Sequence, residues 1–255
     1  IGGSSIYTNN FFNGSIDEVM IFNTSLTAQQ ITDIYNNQSA RFFATGSHEF
    51  KQFNITSGNN TVNVTTTDFQ NFSGSRLELR LGEWDLSRGY NDTYNGSGSD
   101  ALINDSIVGY WHFDNVSGMG ENDTLAIDWS GNGNNGTAVG GLLYTPSGYY
   151  DGGFKFDGVD DYINIGNNIG INGQNFTILG WFKAGADLAN NDGIVSNRQG
   201  ASSNYISIVG LTAGPNLRFF IANGSGSLSL RDSGALTANK WYHFASIVND
   251  SDTTA

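Results

Sequence analysis

The chain of 255 residues has no cysteine, only two prolines, and 11 basic residues against 24 acidic ones. Without cysteine there are no disulfides, no thiolate metal ligands and no cysteine nucleophile. Scarce proline, beside an aromatic content of 13%, argues against a disordered or collagen-like chain. The shortage of basic residues leaves a formal charge of −13 with no Lys/Arg cluster. A field of that sign repels polyanions, so nucleic acid is a poor partner. No apolar run approaches the roughly 20 residues a membrane helix needs, so no membrane span is expected. The amino terminus, Ile1-Gly2-Gly3-Ser4, has neither a methionine nor a charged-then-apolar signal, and the chain reads as a piece of something longer.

What is present is β-forming and polar. A chain of this length accommodates one large β domain or two small ones, and its aromatic residues can fill a core. Sixteen Asn-x-Ser/Thr triplets occur, at Asn13, Asn23, Asn37, Asn54, Asn59, Asn63, Asn71, Asn91, Asn95, Asn104, Asn115, Asn122, Asn135, Asn175, Asn223 and Asn249. Each is an acceptor pattern for N-glycosylation, which needs an exposed position in a secreted protein. A chain so rich in Asn, Ser, Thr and Gly generates some triplets by chance. Their spread along nearly the whole length favours an extracellular, cell-surface location.

Period-two alternation dominates the organisation. In Phe176-Thr177-Ile178-Leu179-Gly180-Trp181-Phe182-Lys183 both faces carry apolar groups, as in a strand held between two layers. Further strands are predicted at 76–81, 108–113, 154–156, 161–165, 205–209, 217–222 and 241–248, separated by Gly, Asn, Asp and Ser turns. One helix is marked: Thr27 as N-cap with Gln30 completes a capping box, Leu26 and Ile31 hold the staple positions, and Ile34 and Tyr35 extend the apolar side to Asn36. The fold class that follows is all-β, an antiparallel sandwich or jelly roll.

Certain motifs are more specific. The stretch Asn13-Gly14-Ser15-Ile16-Asp17-Glu18-Val19-Met20-Ile21-Phe22, followed by Ser25-Leu26-Thr27-Ala28-Gln29-Gln30-Ile31 and Tyr35, resembles the closing strand and short helix of laminin G-like, concanavalin A-like jelly rolls. Residues 107–248 resemble the opening of the same fold. The matching pieces there are Val108-Gly109-Tyr110-Trp111-His112-Phe113-Asp114, Asp128-Trp129-Ser130-Gly131-Asn132-Gly133, Phe156-Asp157-Gly158-Val159-Asp160-Asp161-Tyr162-Ile163 and Lys240-Trp241-Tyr242-His243-Phe244. The end of the fold therefore precedes its beginning. The division adopted is 1–40 as the closing strand and helix of one jelly roll, 41–105 as a small β-sandwich spacer, and 106–255 as the incomplete opening of a second. A tandem array explains this order. The alternatives are that residues 1–36 close the chain's own jelly roll, or a neighbouring copy's, which would propagate a fibre.

Candidate chemistry is sparse. Some concanavalin A-like folds cleave polysaccharides with paired carboxylates, but Asp17-Glu18 and Glu83-Trp84-Asp85 are adjacent or uneven and do not put two acids on one strand face. Asp17 is expected to satisfy backbone donors and Glu18 to face solvent. His48, His112 and His243 stand singly in apolar runs, without zinc spacing. No serine elbow or phosphate loop is present, and the chain is not expected to be an enzyme.

Calcium is the candidate cofactor. Asp128-x-Ser130-x-Asn132-Gly133 places oxygen side chains at alternate positions before a glycine, and the resemblance brings Asp114, Asp157, Asp160 and Asp161 near. A solvated Asn/Gly turn explains the same residues. For sugar, Trp111, Trp181 and Trp241 lie where the resemblance implies a core, whereas Trp84, Trp129, Tyr149, Tyr150, Asn204 and Tyr205 lie in or beside turns, where ligands are met. The function expected is a structural or adhesive module of an extracellular layer, stalk or filament, with copies of itself and glycans as partners. A lectin-like adhesin is the alternative, and a polysaccharide hydrolase the less favoured one.

Overall fold

The structure, a computed structural model, describes residues 1–3, 11–40, 84–85, 90–91, 106–115, 117, 120–166, 169, 175–186, 192–196, 205–210, 216–223 and 226–249. The expected strand at 76–81, His48, Glu83, Asn204 and the sequons at Asn54, Asn59, Asn63, Asn71, Asn95 and Asn104 lie outside them, as does most of the 41–105 spacer. Within that spacer β2 (Trp84–Asp85) pairs with β3 (Tyr90–Asn91).

The main sheet has six antiparallel strands. At its centre lies β1 (Asn13–Phe22), with β10 (Phe176–Ala184) along one edge from Gly14 to Phe22. The other edge is shared: β8 (Gly153–Asp157) pairs with Asn13 to Ile16, and β4 (Ile107–Trp111) with Val19 to Phe22. Beyond β10 lies β15 (Trp241–Val248), and beyond β8 lies β7 (Leu143–Thr145). A four-stranded sheet of β11 (Gly193–Ser196), β12 (Tyr205–Gly210), β13 (Asn216–Asn223) and β14 (Gly226–Ala235) runs in sequence order, and β5 (Leu125–Ala126), β6 (Gly136–Val139) and β9 (Tyr162–Asn164) form a third. One apolar core joins Ile16, Val19, Ile21, Trp111, Phe156, Phe176 and Phe182 of the main sheet to Ile163 of β9, Ile194 and Val195 of β11 and, at its margin, Phe219 of β13. The antiparallel sandwich expected from the alternation is thus present.

The main sheet is closed within the chain. Of the three arrangements open from the sequence, this is the one in which residues 1–36 complete the chain's own sandwich. In it β1 takes ladder bonds on both edges from strands of the later segment.

Alternation along β1 changes phase. Ile16 faces the core, but so do Val19 and Ile21, while Met20 and Phe22 face outward. Between Asp17, opposite Trp181, and Met20, opposite Leu179, β1 carries one residue more than β10, a bulge. Glu18 absorbs it with φ of 51°, a left-handed conformation unusual for a residue with a side chain. The bulge lies where the shared edge passes from β8 to β4.

Helix α1 (Ala28–Ala40) covers part of the outer face. Thr27 N–H donates to Gln30 Oε1 at 2.8 Å and Gln30 N–H to Thr27 Oγ1 at 3.2 Å, the expected capping box. Leu26, Ile31 and Ile34 pack on Met20, Phe22 and Leu179. Thr177 Oγ1 accepts from Leu26 N–H, and Ser25 Oγ donates to the Val248 carbonyl, so the helix entry is fastened to β10 and β15. The helix runs four residues past the expected Asn36.

Candidate functional site

Where α1 ends, the outer face carries a ledge of aromatic rings. Trp181 on β10 and His243 on β15 are directly paired, as are Lys183 and Trp241 one step along. Tyr149, from the loop between β7 and β8, lies flat on Trp181 with ring centres 3.4 Å apart and planes 11° apart. Tyr35, on α1, stacks on Trp181 at 5.4 Å. Trp241 meets Tyr149 edge-on at 5.9 Å, and Lys183 Nζ stands 5.0 Å from the Trp241 ring centre. Trp181 is buried by this cover, whereas Tyr149 is 36% and Tyr35 38% exposed. Burial and the neighbouring Tyr35 hydroxyl hold the Tyr149 phenol above its usual range. His243, tilted against Trp181 at 5.0 Å, is lowered to about 4 by burial.

Acids hold the ledge from below. Asp17 Oδ2 accepts the backbone N–H of Tyr149 at 2.8 Å and of Tyr150 at 2.9 Å, and Asp114 Oδ1 accepts that of Gly152 at 3.0 Å. These donors belong to the loop between β7 and β8. Tyr110 Oη donates to Glu18 Oε2 at 2.6 Å. Burial first, and then the charge of Glu18, raises the Asp17 carboxyl well above the usual carboxylate range. His112 Nδ1 lies 3.1 Å from Asp114 Oδ2 and 3.8 Å from Glu121 Oε2, and Trp129 Nε1 donates to Glu121 Oε1 at 3.2 Å.

Asp17 therefore takes the backbone role expected of it. Glu18 departs from expectation: it is fully buried, not solvent-facing. The two adjacent acids also share the outer face, because the bulge interrupts the alternation that would have separated them. Chemically the pair is inward-looking, since neither carboxylate is exposed and Asp17 is bound to the backbone.

The expected cation ligands divide among three places. Asp128 Oδ1 accepts from Tyr110 N–H at 3.0 Å and Ser130 N–H at 2.9 Å, and its Oδ2 from Asn134 N–H at 2.8 Å. Ser130 Oγ accepts from Asn132 Nδ2 at 3.0 Å. Those oxygens order the loop, which is the turn reading of the motif. Asp114 sits beside His112. Asp157 and Asp160 lie together in the turn from β8 to β9, joined by Asp161.

The expected sugar-contacting residues divide similarly. Tyr149 is on the ledge, but Tyr150 is buried beneath it, correcting its placement as an exposed contact. Trp129 is half-buried against His112, with ring centres 4.4 Å apart. Tyr205 opens β12, on the other sheet. Trp241, expected in the core, is half-buried on the outer face instead. Tyr35, Lys183 and His243 were not expected at a site; the register of β10 with β15 sets Lys183 and His243 beside Trp241 and Trp181, and α1 brings Tyr35 onto Trp181.

By class, then, this is an antiparallel β-sandwich with an aromatic ledge on the outside of its larger sheet. Residues 157–255 are similar to the family model of the concanavalin A-like lectin/glucanases superfamily, which also describes laminin G-like domains. No curated protein and no solved structure matches the chain. Among the described residues, no helix is long and apolar enough to cross a membrane.

Proposed function

We propose that this chain is a non-catalytic adhesive module of an extracellular surface assembly, and that it holds carbohydrate on the Tyr149–Trp181–Trp241 ledge. The observation that carries this reading is the exposed Tyr149 ring, backed by Trp181 at 3.4 Å and fixed through two backbone bonds to Asp17. A sugar face needs a rigid apolar plane bordered by a few polar groups, and Lys183 and the Tyr35 hydroxyl are at its edge. The burial of Asp17 and Glu18 favours binding over hydrolysis, since a glycosidase needs both carboxylates at the scissile bond. An extracellular setting is supported by the sequons, of which Asn23, Asn122, Asn135, Asn175 and Asn249 are exposed.

The test is a polysaccharide panel read by affinity electrophoresis and calorimetry with the whole chain. Wild type is expected to retain at least one neutral polysaccharide, and Tyr149→Ala to weaken it about tenfold or more, or ~1.4 kcal/mol, while still unfolding in one cooperative transition. Retention by the variant equal to wild type would remove the ledge from recognition. Release of reducing ends, lost in Asp17→Asn, would replace the reading with a hydrolase.

A further inference from the structure

We propose that the turn joining β8 to β9 is a calcium site built from Asp157, Asp160 and Asp161. It is separate from the aromatic ledge and does not depend on sugar binding. One carboxylate oxygen from each of the three lies within 4.8 Å of the others. Oxygens around a calcium ion at about 2.3–2.6 Å are separated by up to about 5 Å across the ion, so this spacing is that of ligands to a single cation. Among the described residues, no Lys or Arg is within ion-pair distance of the three.

The second observation is inside the turn. Asp161 is only 3% exposed. Its Oδ2 accepts the Asp157 N–H at 2.9 Å, while its Oδ1 is buried with no hydrogen-bond partner. A buried carboxylate oxygen without a donor is costly, and beside two further carboxylates the cost grows. A cation is the partner that resolves both. Asp157 Oδ1 is occupied by the Val159 N–H at 2.7 Å, which leaves its second oxygen for the ion. Asp157 and Asp160 are exposed, so water can reach the remaining coordination positions. An all-oxygen set of three carboxylates suits a hard ion and not zinc, and an irregular turn suits the flexible coordination of calcium better than the strict octahedron of magnesium.

The experiment uses the whole chain, stripped with chelator and titrated with calcium chloride by calorimetry and by thermal melting. One calcium per chain is expected, with a melting temperature several degrees higher at saturation, because the ion binds the native state alone. Asp160→Asn, an exposed change, should weaken calcium about tenfold or more and leave the metal-free melting temperature no lower than that of wild type. Asp161→Asn should abolish the calcium response while raising the metal-free melting temperature, since it removes a buried charge that lacks a donor. The proposal fails if millimolar calcium produces neither heat nor stabilisation, or if both variants bind as wild type does. Tighter binding of magnesium than of calcium would overturn the identity of the ion.

Discussion

Asp17 stands where β8 and β4 part along β1, and its carboxylate takes the N–H groups of Tyr149 and Tyr150. Asp17→Ala leaves the buried Tyr150 donor and the part-buried Tyr149 donor without this acceptor, at up to about 1–3 kcal/mol each, and is expected to lower the melting temperature by roughly 10 °C. Asp17→Asn keeps an acceptor and should cost less. The pH dependence separates charge from geometry. Because the folded Asp17 carboxyl is raised, its contribution is fully present below its unfolded value of 3.8 and is lost as pH rises through the folded value. His243 acts oppositely. Its folded value of about 4 lies below the unfolded 6.5, so its contribution is full above 6.5 and is lost as pH falls towards 4. Between those limits the two partly cancel in wild type. Melting curves from pH 4 to 7 should therefore show Asp17→Asn gaining on wild type as pH rises, and His243→Gln gaining on it as pH falls. Parallel curves would mean that neither group is perturbed by its burial.

At the scale of elements, much of the fold is legible in the sequence, and the illegible part has a specific cause. The strand at Trp241–Val248 has the expected bounds, and β10 reads as buried on both faces because Thr177, Leu179 and Trp181 alternate with Phe176, Ile178 and Phe182. The helix start was written in Thr27 and Gln30. Its end was not, since Asn36-Asn37 resembles a stop that the helix passes through to Ala40. The ledge was illegible because the contacts of Tyr149 with Trp181 and of Trp181 with Tyr35 span distant segments, and no local pattern encodes them. The bulge did leave a trace: apolar residues at 16, 19 and 21 break strict alternation at the two acids. A strand read in one phase therefore assigned Glu18 to solvent. If Glu18 is only the extra residue, deleting it gives Asp17, Val19 and Met20 a regular ladder opposite Trp181, Gly180 and Leu179, with Val19 still facing the core. The deletion variant is expected to fold and to keep its near-ultraviolet circular dichroism, losing about 1–3 kcal/mol with the Tyr110–Glu18 hydrogen bond. Inserting a second residue there should instead slide Val19 to Phe22 out of their register with β10 and β4, and destabilise the sheet more than the deletion does. Equal damage from both changes would show that the bulge itself is required.

For the whole molecule, the central question is whose β1 fills the sandwich. Ile16, Val19, Ile21 and Phe22 are fully buried at its centre, so the larger sheet is incomplete without that strand. The ledge is incomplete as well, because Tyr35 and Asp17 come from the β1–α1 segment and Tyr149, Trp181 and Trp241 from the later one. Between α1 and Ile107 the chain has contour enough, at about 3.3 Å per residue, to reach either its own sandwich or a neighbour's. Closure within the chain is favoured by effective concentration: the cost of closing a long connection grows only with the logarithm of its length, whereas a neighbour must be met at its bulk concentration. The chain is therefore expected to run in light scattering as a monomer of 27.4 kDa, with a mass unchanged by tenfold dilution. Removing residues 1–40 should leave an aggregating remainder, and adding that segment as a separate peptide should restore both solubility and the polysaccharide retention that depends on the ledge. Oligomers at integer multiples that survive dilution would place β1 in a neighbour. The same ladder and the same ledge would then join copies into a filament, and every binding site would lie on a junction between two chains.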